Sequence, residues 1–307
     1  MRLLKPVCQG CGQPIWGNYL SALGATWHPE HFCCAGCGRP LGDKHFHPHN
    51  GAPFHSECYS RLIAPRCAYC GKSLMGEYLI DHWGTQYCPE HQQQYPSCTF
   101  CARLVPPGQL VRNSRKVSCS ICRSSAVETT TEAHPLFSRV KRWIGNQGLV
   151  YNNLPLSLNL CDQSRLAELL NERGQSHSWG ATTSSTYTQD GRVIRAEVNG
   201  IAVLQGLPAV LFQGVTAHEL GHVWLIVHGI QGLPSWAEEG FCEYLSYRYY
   251  CDLHTPESRY HAVSIENNAD PVYGEGFRRV RALADALGFP RFLEILRTTK
   301  RLPSHKS

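Results

Sequence analysis

No run of about 20 apolar residues, the length that crosses a bilayer as a helix, occurs in the 307-residue chain. The opening MRLLKPVCQGCG reaches paired cysteines before the apolar region of a signal peptide could develop. Both absences predict a cytoplasmic protein with no membrane partner. Charge is sparse too: charged residues make 17% of the chain against 42% hydrophobic ones, a balance that excludes wholesale disorder and a coiled coil. Cysteine is scarce in the later part, where only Cys161, Cys242 and Cys251 of the 16 follow Cys122. The other thirteen stand mostly in pairs with two residues between them, the pattern of metal binding rather than of a disulfide scaffold. A broad basic surface is missing as well. Residues 1–125 hold 12 Lys+Arg against 6 Asp+Glu and the remainder 17 against 18, so the formal +5 is N-terminal, and zinc-bound thiolates would cut it further. Without a basic recognition helix, nucleic acid is not an expected partner.

The pairs read in order give Cys8-x2-Cys11-x16-His28-x2-His31, then Cys34-x2-Cys37-x17-His55-x2-Cys58, which is eight donors for two ions. Zinc takes four N/S donors in a tetrahedron, and two intervening residues let both side chains of a knuckle turn to one ion. The two-residue spacer forces the two sites to stack end to end. Cys33 lies close enough to compete with His31 but is read as a non-ligand. This stretch resembles the LIM domain, a tandem zinc-finger module for protein interaction, with His31 and His55 where most LIM domains have cysteine.

A second array follows: Cys67-x2-Cys70-x17-Cys88-x2-His91 and Cys98-x2-Cys101-x17-Cys119-x2-Cys122. Its spacer of six residues frees these two fingers from the usual stacking, so the array is LIM-like, with His82 as the alternative donor. All four spheres are filled by protein, which predicts four structural zinc ions and a segment that folds only with metal.

Beyond Cys122 the texture is ordinary globular sequence. The spacing predicts a helix over 134–145, a strand at 154–160, and a helix capped by Asp162 that runs to Arg173 and stops at Gly174. Residues 176–191 read as a loop. VIRAEV and IAVL flank Asn199-Gly200, which predicts a hairpin there, with Ile201 to Leu204 as an edge on which an extended substrate could pair. A helical stretch over 277–298 presents Phe277, Val280, Leu283 and Leu287 for packing.

His218-Glu219-Leu220-Gly221-His222 places two imidazoles one helical turn apart on one face, able to share a zinc ion, with Glu219 beside them to take a proton from water. Val215, Val223, Trp224 and Val227 would bury that helix. Seventeen residues after His222, Glu239 lies in PSWAEEGFCEY, where Ser235 and Glu238 make the pattern of a capping box. A carboxylate there can complete a His2Glu set with one open position. Glu243, one turn on, can receive the free ring N–H of His218.

EEGFCEY resembles the corresponding NEGFAEY of gluzincin metallopeptidases, which implies Glu239 rather than Glu238 as ligand. The whole pattern, LIM, LIM-like module, HExxH, EEG and the late DPVYGEGFR at 270–278, resembles the ubiquitin-activated LIM peptidases of the DA-one type. No acidic ubiquitin-interacting helix precedes Cys8. The resemblance implies an α+β fold with three domains: a LIM domain at 1–62, a LIM-like module at 63–125, and a gluzincin-type peptidase at 126–307 with an antiparallel sheet and active-site helices. It further implies one catalytic zinc on His218, His222 and Glu239 and hydrolysis of peptide bonds in protein substrates with Glu219 as base. Ubiquitin or ubiquitinated proteins are then the implied partners. Tyr273, in the YGEGFR segment, is the candidate donor to the oxyanion, and His261 the runner-up; Tyr244, Tyr247, Tyr249 and Tyr250 read as helix packing. The rival reading is a LIM adaptor whose peptidase-like domain binds without cutting.

Overall fold

The computed structural model describes residues 5–42, 45–110, 116–151, 154–171, 178–189 and 192–303. Composition changes after Cys122, but packing divides the chain earlier, into compact units Met1–Pro96 and Ser97–Ser307. The division falls inside the six-residue spacer between His91 and Cys98.

The first unit is built from hairpins and short helices: β1 (Leu20–Ala22) with β2 (Ala25–Trp27), β3 (Phe46–His49) with β4 (Ala52–His55), α1 (Ser56–Leu62), β5 (Leu79–Ile80) with β6 (Gln86–Tyr87), and α2 (Glu90–Gln94). Each hairpin lies in the 16- or 17-residue interval between two knuckles. The knuckles share one turn. The amide of the fourth residue after the leading cysteine bonds that cysteine's carbonyl, Gly12 to Cys8 at 2.7 Å, Gly38 to Cys34 at 2.8 Å and Gly71 to Cys67 at 2.9 Å, with each glycine at a positive φ near 71°. Phe32, Cys34, Leu41, Phe54 and Cys58 form one small core, joined by Leu20, Trp27 and Phe46 from the first finger and the second, so the first two fingers share their apolar interior.

The second unit repeats the knuckle turn at Cys98, now with Ala102 at φ 56° and its amide 2.9 Å from the Cys98 carbonyl. It continues through a 3-10 turn at Pro107–Gln109, α3 (Ser120–Ser124), β7 (Ala126–Val127), α4 (Thr130–Asn146), β8 (Leu158–Cys161), α5 (Gln163–Leu169), β9 (Gly180–Gln189), β10 (Arg192–Leu204), β11 (Leu207–Pro208), α6 (Ala209–Val227), α7 (Ser235–Leu253), α8 (Pro256–Glu266), α9 (Gly274–Leu287) and α10 (Phe289–Thr299). Asp162 caps α5 as expected, accepting from the Arg165 amide at 2.8 Å. The helix ends at Leu169, and Arg173 and Gly174 lie outside the described residues.

The sheet departs from expectation in three ways. Its order is β8-β10-β9, with β8 parallel and β9 antiparallel to β10, so it is mixed rather than antiparallel. Residues 180–189 of the expected loop are strand β9. Asn199-Gly200 does not turn the chain: β10 runs straight through it with a register shift between Val198 and Gly200. Gly200 serves a close approach instead, since a Cβ there would stand 2.5 Å from Ser157 Oγ. Ile201–Leu204 therefore lies in the central strand, and β8 and β9 are the two edges.

α6 is buried nearly all round, with Phe212, Ala217, Leu220, Val223 and Trp224 against the interior. α7 packs on it, and α9 packs on α7 so tightly that a Cβ on Gly240 would lie 2.3 Å from the carbonyl carbon of Gly276. Phe277, Val280 and Phe292 are wholly buried behind α7, while Leu287, at the end of α9, is 40% exposed. Among the described residues no helix is long and apolar enough to cross a membrane.

Candidate metal centres and cleft

Four clusters form as the spacing predicts. The donor atoms of Cys8, Cys11, His28 and His31 lie within 4.8 Å of one another, as do those of Cys34, Cys37, His55 and Cys58, of Cys67, Cys70, Cys88 and His91, and of Cys98, Cys101, Cys119 and Cys122. Both histidines of the first cluster present Nδ1, 3.2 Å apart, and Cys33 turns away to donate to the Glu30 carbonyl at 3.1 Å. His91 is buried with no hydrogen-bond partner on either ring nitrogen. An orphaned imidazole among three sulfurs is costly without an ion, so this donor set fits zinc. These clusters are consistent with zinc binding.

The fifth site is built on α6 and α7. The i, i+4 spacing brings His218 Nε2 and His222 Nε2 to 3.2 Å, and Glu239 Oε2 stands 3.2 Å from the first and 3.6 Å from the second. A tetrahedral ion with bonds near 2.0–2.2 Å has donor separations of about 3.3–3.6 Å, so these three atoms fit one metal ion. Cys242 Sγ also lies within 4.8 Å of the histidine donors, but it is fully buried and packs on the α6 backbone, where a Cβ on Gly221 would meet it at 2.8 Å. The carboxylate, which faces the cleft while the thiol is buried, is the better third donor.

The outward ring nitrogens are each held by a carboxylate. His218 Nδ1–H donates to Glu243 at 3.1 Å, as expected, and His222 Nδ1–H donates to Glu238 at 3.1 Å. The second contact replaces the expected capping box: the N-cap of α7 is Pro234, without a side-chain cap, which leaves Glu238 free for the imidazole. Burial disfavours charge on both histidines, yet Glu239 and Glu243 beside His218, and Cys242 followed by Glu238 and Glu239 beside His222, outweigh it and hold both well above the usual imidazole range. Glu239, though desolvated, is held far below the usual carboxylate range by the two rings.

The three donors open on a cleft of about 1060 Å³ in the second unit. Its α6 wall includes Val215, His218, Glu219, His222 and Ile226, one helical face; Val215 is accordingly only half-buried, and Val227, the last residue of α6, is half-buried as well. Glu219 is 5% exposed and accepts from Thr182 Oγ1 of β9 at 2.7 Å, a partner the sequence offered no signal for. Tyr273 lines the same cleft, its ring 6.5 Å from that of His218 at 29°. The α7–α9 crossing at Gly240 and Gly276 brings it there. Burial and then the neighbouring Glu239 and Glu243 push its phenol up to about 12. His261 also lines the cleft but is buried against Tyr250, ring centroids 5.2 Å apart, and burial lowers its pKa to about 4. Tyr244, Tyr247 and Tyr249 are packing residues with their hydroxyls on Asp285, Glu266 and Gln213, whereas Tyr250 also lines the cleft.

Comparison with known proteins follows the same division. The LIM domain family matches residues 8–63, and the DA1-like family, described as Protein DA1, matches residues 154–259. The chain is 28% identical to Protein DA1 of Arabidopsis thaliana, over 97% of this chain and 68% of that protein. It is 27% identical to LIM domain-containing protein HDR3 of Oryza sativa subsp. japonica, over 97% and 74%. To Paxillin homolog 1 of Caenorhabditis elegans it is 32% identical, over 42% of this chain and 30% of that protein. The chain thus spans about two thirds of the length of the first plant relative and about three quarters of the second.

Proposed function

From a chain that joins a LIM domain to a DA1-like domain, we propose a zinc-dependent endopeptidase that hydrolyses peptide bonds in protein substrates. What carries this reading is the convergence of His218 Nε2, His222 Nε2 and Glu239 Oε2 at separations of 3.2, 3.2 and 3.6 Å, beside a buried glutamate in a cleft. Zinc held by these three residues supplies Lewis acidity toward a water and the scissile carbonyl. Glu219, one oxygen fixed by Thr182, takes the proton from the attacking water and delivers it to the amine nitrogen as the C–N bond breaks. Tyr273, kept protonated by its raised pKa, donates its O–H to the carbonyl oxygen as negative charge builds there. Glu238 and Glu243 hold the two imidazoles in the tautomer that presents Nε2. The edge of β9, rather than Ile201–Leu204, is the strand on which an extended substrate backbone pairs.

The LIM match favours protein binding for residues 8–63, so the N-terminal modules recruit substrates or regulatory partners; ubiquitin or ubiquitinated proteins are the partners the resemblance suggests. The test compares new protein N-termini by mass spectrometry in a lysate treated with the zinc-loaded chain or with its Glu219→Gln form. New termini made by the native chain alone support the peptidase. Identical termini in both samples, with both proteins zinc-loaded, favour the adaptor.

A further inference from the structure

The fourth cluster differs from the other three in what its knuckle touches. Between Cys67 and Cys70 the third knuckle carries Tyr69, whose ring packs inside its own module against Tyr87, His91 and Tyr95, each with centroids 5.6 Å away. Between Cys98 and Cys101 the fourth carries Thr99 and Phe100. Phe100 packs edge-on against Trp179, at 6.4 Å and 62°, immediately before β9. Both knuckle residues and Trp179 line the same cleft as His218, His222, Glu239 and Glu219, with Leu170, Tyr260 and Ile265 continuing the surface.

This wall is fixed in place. All four cysteines of the cluster are buried, and the Thr99 amide bonds the Val117 carbonyl at 2.8 Å. Just beyond Cys122, β7 pairs with β11, and the Ala209 amide at the start of α6 bonds the Ser125 carbonyl at 2.8 Å. The Leu204 amide holds the Trp179 carbonyl at 2.9 Å. The knuckle, the edge strand and the helix bearing the two histidines are therefore tied into one frame.

We propose that Phe100 and Trp179 form a selectivity surface that receives a large apolar side chain of an extended polypeptide, with the exposed Thr99 at its rim. The proposal rests on the peptidase reading of the cleft and names the substrate feature it prefers: an aromatic or long aliphatic residue. An extended segment laid along β9 points alternate side chains to one side, and a rigid aromatic wall beside that edge rewards apolar ones. Burying one such side chain favours it over a small polar one by about tenfold or more.

The test measures binding, so that it does not depend on turnover. Fluorescein-labelled peptides of Gly, Ser and Thr carrying a single guest residue are titrated against the zinc-loaded full chain in its Glu219→Gln form. Phe and Leu guests are expected to bind about tenfold more tightly than Ser or Glu guests, and Phe100→Ala in the same background to reduce that ratio below about threefold. Because Phe100 is buried and its loss could disturb folding, Thr99→Glu at the exposed rim provides a second variant. It should improve a Lys guest by about threefold. Equal binding of all guests, or a preference that neither variant changes, overturns the proposal. If the guest preference holds while the native chain produces no new N-termini in a lysate, the peptidase reading fails and the selectivity surface stands.

Discussion

The four cysteine-rich clusters and the His218 centre both gather potential metal donors, yet they are built in opposite ways. Each cluster gathers four protein donors onto turns and short hairpins that have little apolar interior of their own; the first two fingers share one small core of five buried residues. The His218 centre gathers three donors onto two long helices already buried in a large core, and its open side faces a cleft. In the first case the ion replaces a hydrophobic core. In the second the core exists without an ion, and the proposed ion would be left open to chemistry.

The largest expected effect separates the two directly. With a strong chelator, residues 5–96 should lose hydrogen-exchange protection throughout, while α6, α7, α9 and α10 keep theirs. Equal loss in both units would make the second core as metal-dependent as the first. Next comes the chemistry of the open side. Tyr273→Phe should lower kcat by about 100-fold or more with little change in KM, because it removes a donor to the transition state and leaves the fold and zinc content unchanged. A change in KM alone would make Tyr273 a substrate contact. Third, Glu243→Gln and Glu238→Gln should each weaken zinc at the open centre by about 10–100-fold. Metal at the cysteine clusters should stay unaffected, as competition with a graded chelator would show.

The smallest effect concerns pH. His261 is neutral in the fold down to about pH 4 because it is buried, while an unfolded histidine takes up its proton near 6.5. Between those values the unfolded state binds more protons, so stability falls as pH falls, by about 1 kcal/mol per pH unit. His261→Phe should flatten the slope in denaturant titrations over that window, and an unchanged slope would locate the acid sensitivity in the metal sites.

What the sequence discloses follows the same contrast. Donors three or four positions apart are neighbours by chain geometry alone, so the cysteine pairs and the His218/His222 face are legible from their spacing. Glu239 and Glu243 add a third and a fourth member on the next helix, where the EEG text points to them. Contacts between distant segments are not readable in this way. Thr182 on Glu219 requires β9, and residues 176–191, rich in Ser, Thr and Gly, look like a loop; the strand character of 180–189 comes from pairing with β10. Glu238 looks like a capping residue because Ser235 precedes it by three, but Pro234 ends the extended chain and leaves that carboxylate to His222. Asn199-Gly200 has the composition of a turn and the location of a bulge, since the glycine is needed for the approach of Ser157. The compact units divide inside the second cysteine array because the fourth knuckle buries Phe100 against Trp179, a partner nearly 80 residues away in sequence.

The zinc content of the folded chain, counted for the native protein and for His222→Ala after dialysis against a mild chelator, most directly tests the contrast between closed clusters and an open centre. We expect about five ions for the native chain and about four for the variant, with the protection of residues 5–96 the same in both. About four ions in both would contradict the open centre as a zinc site, and with it the chemistry proposed for the cleft.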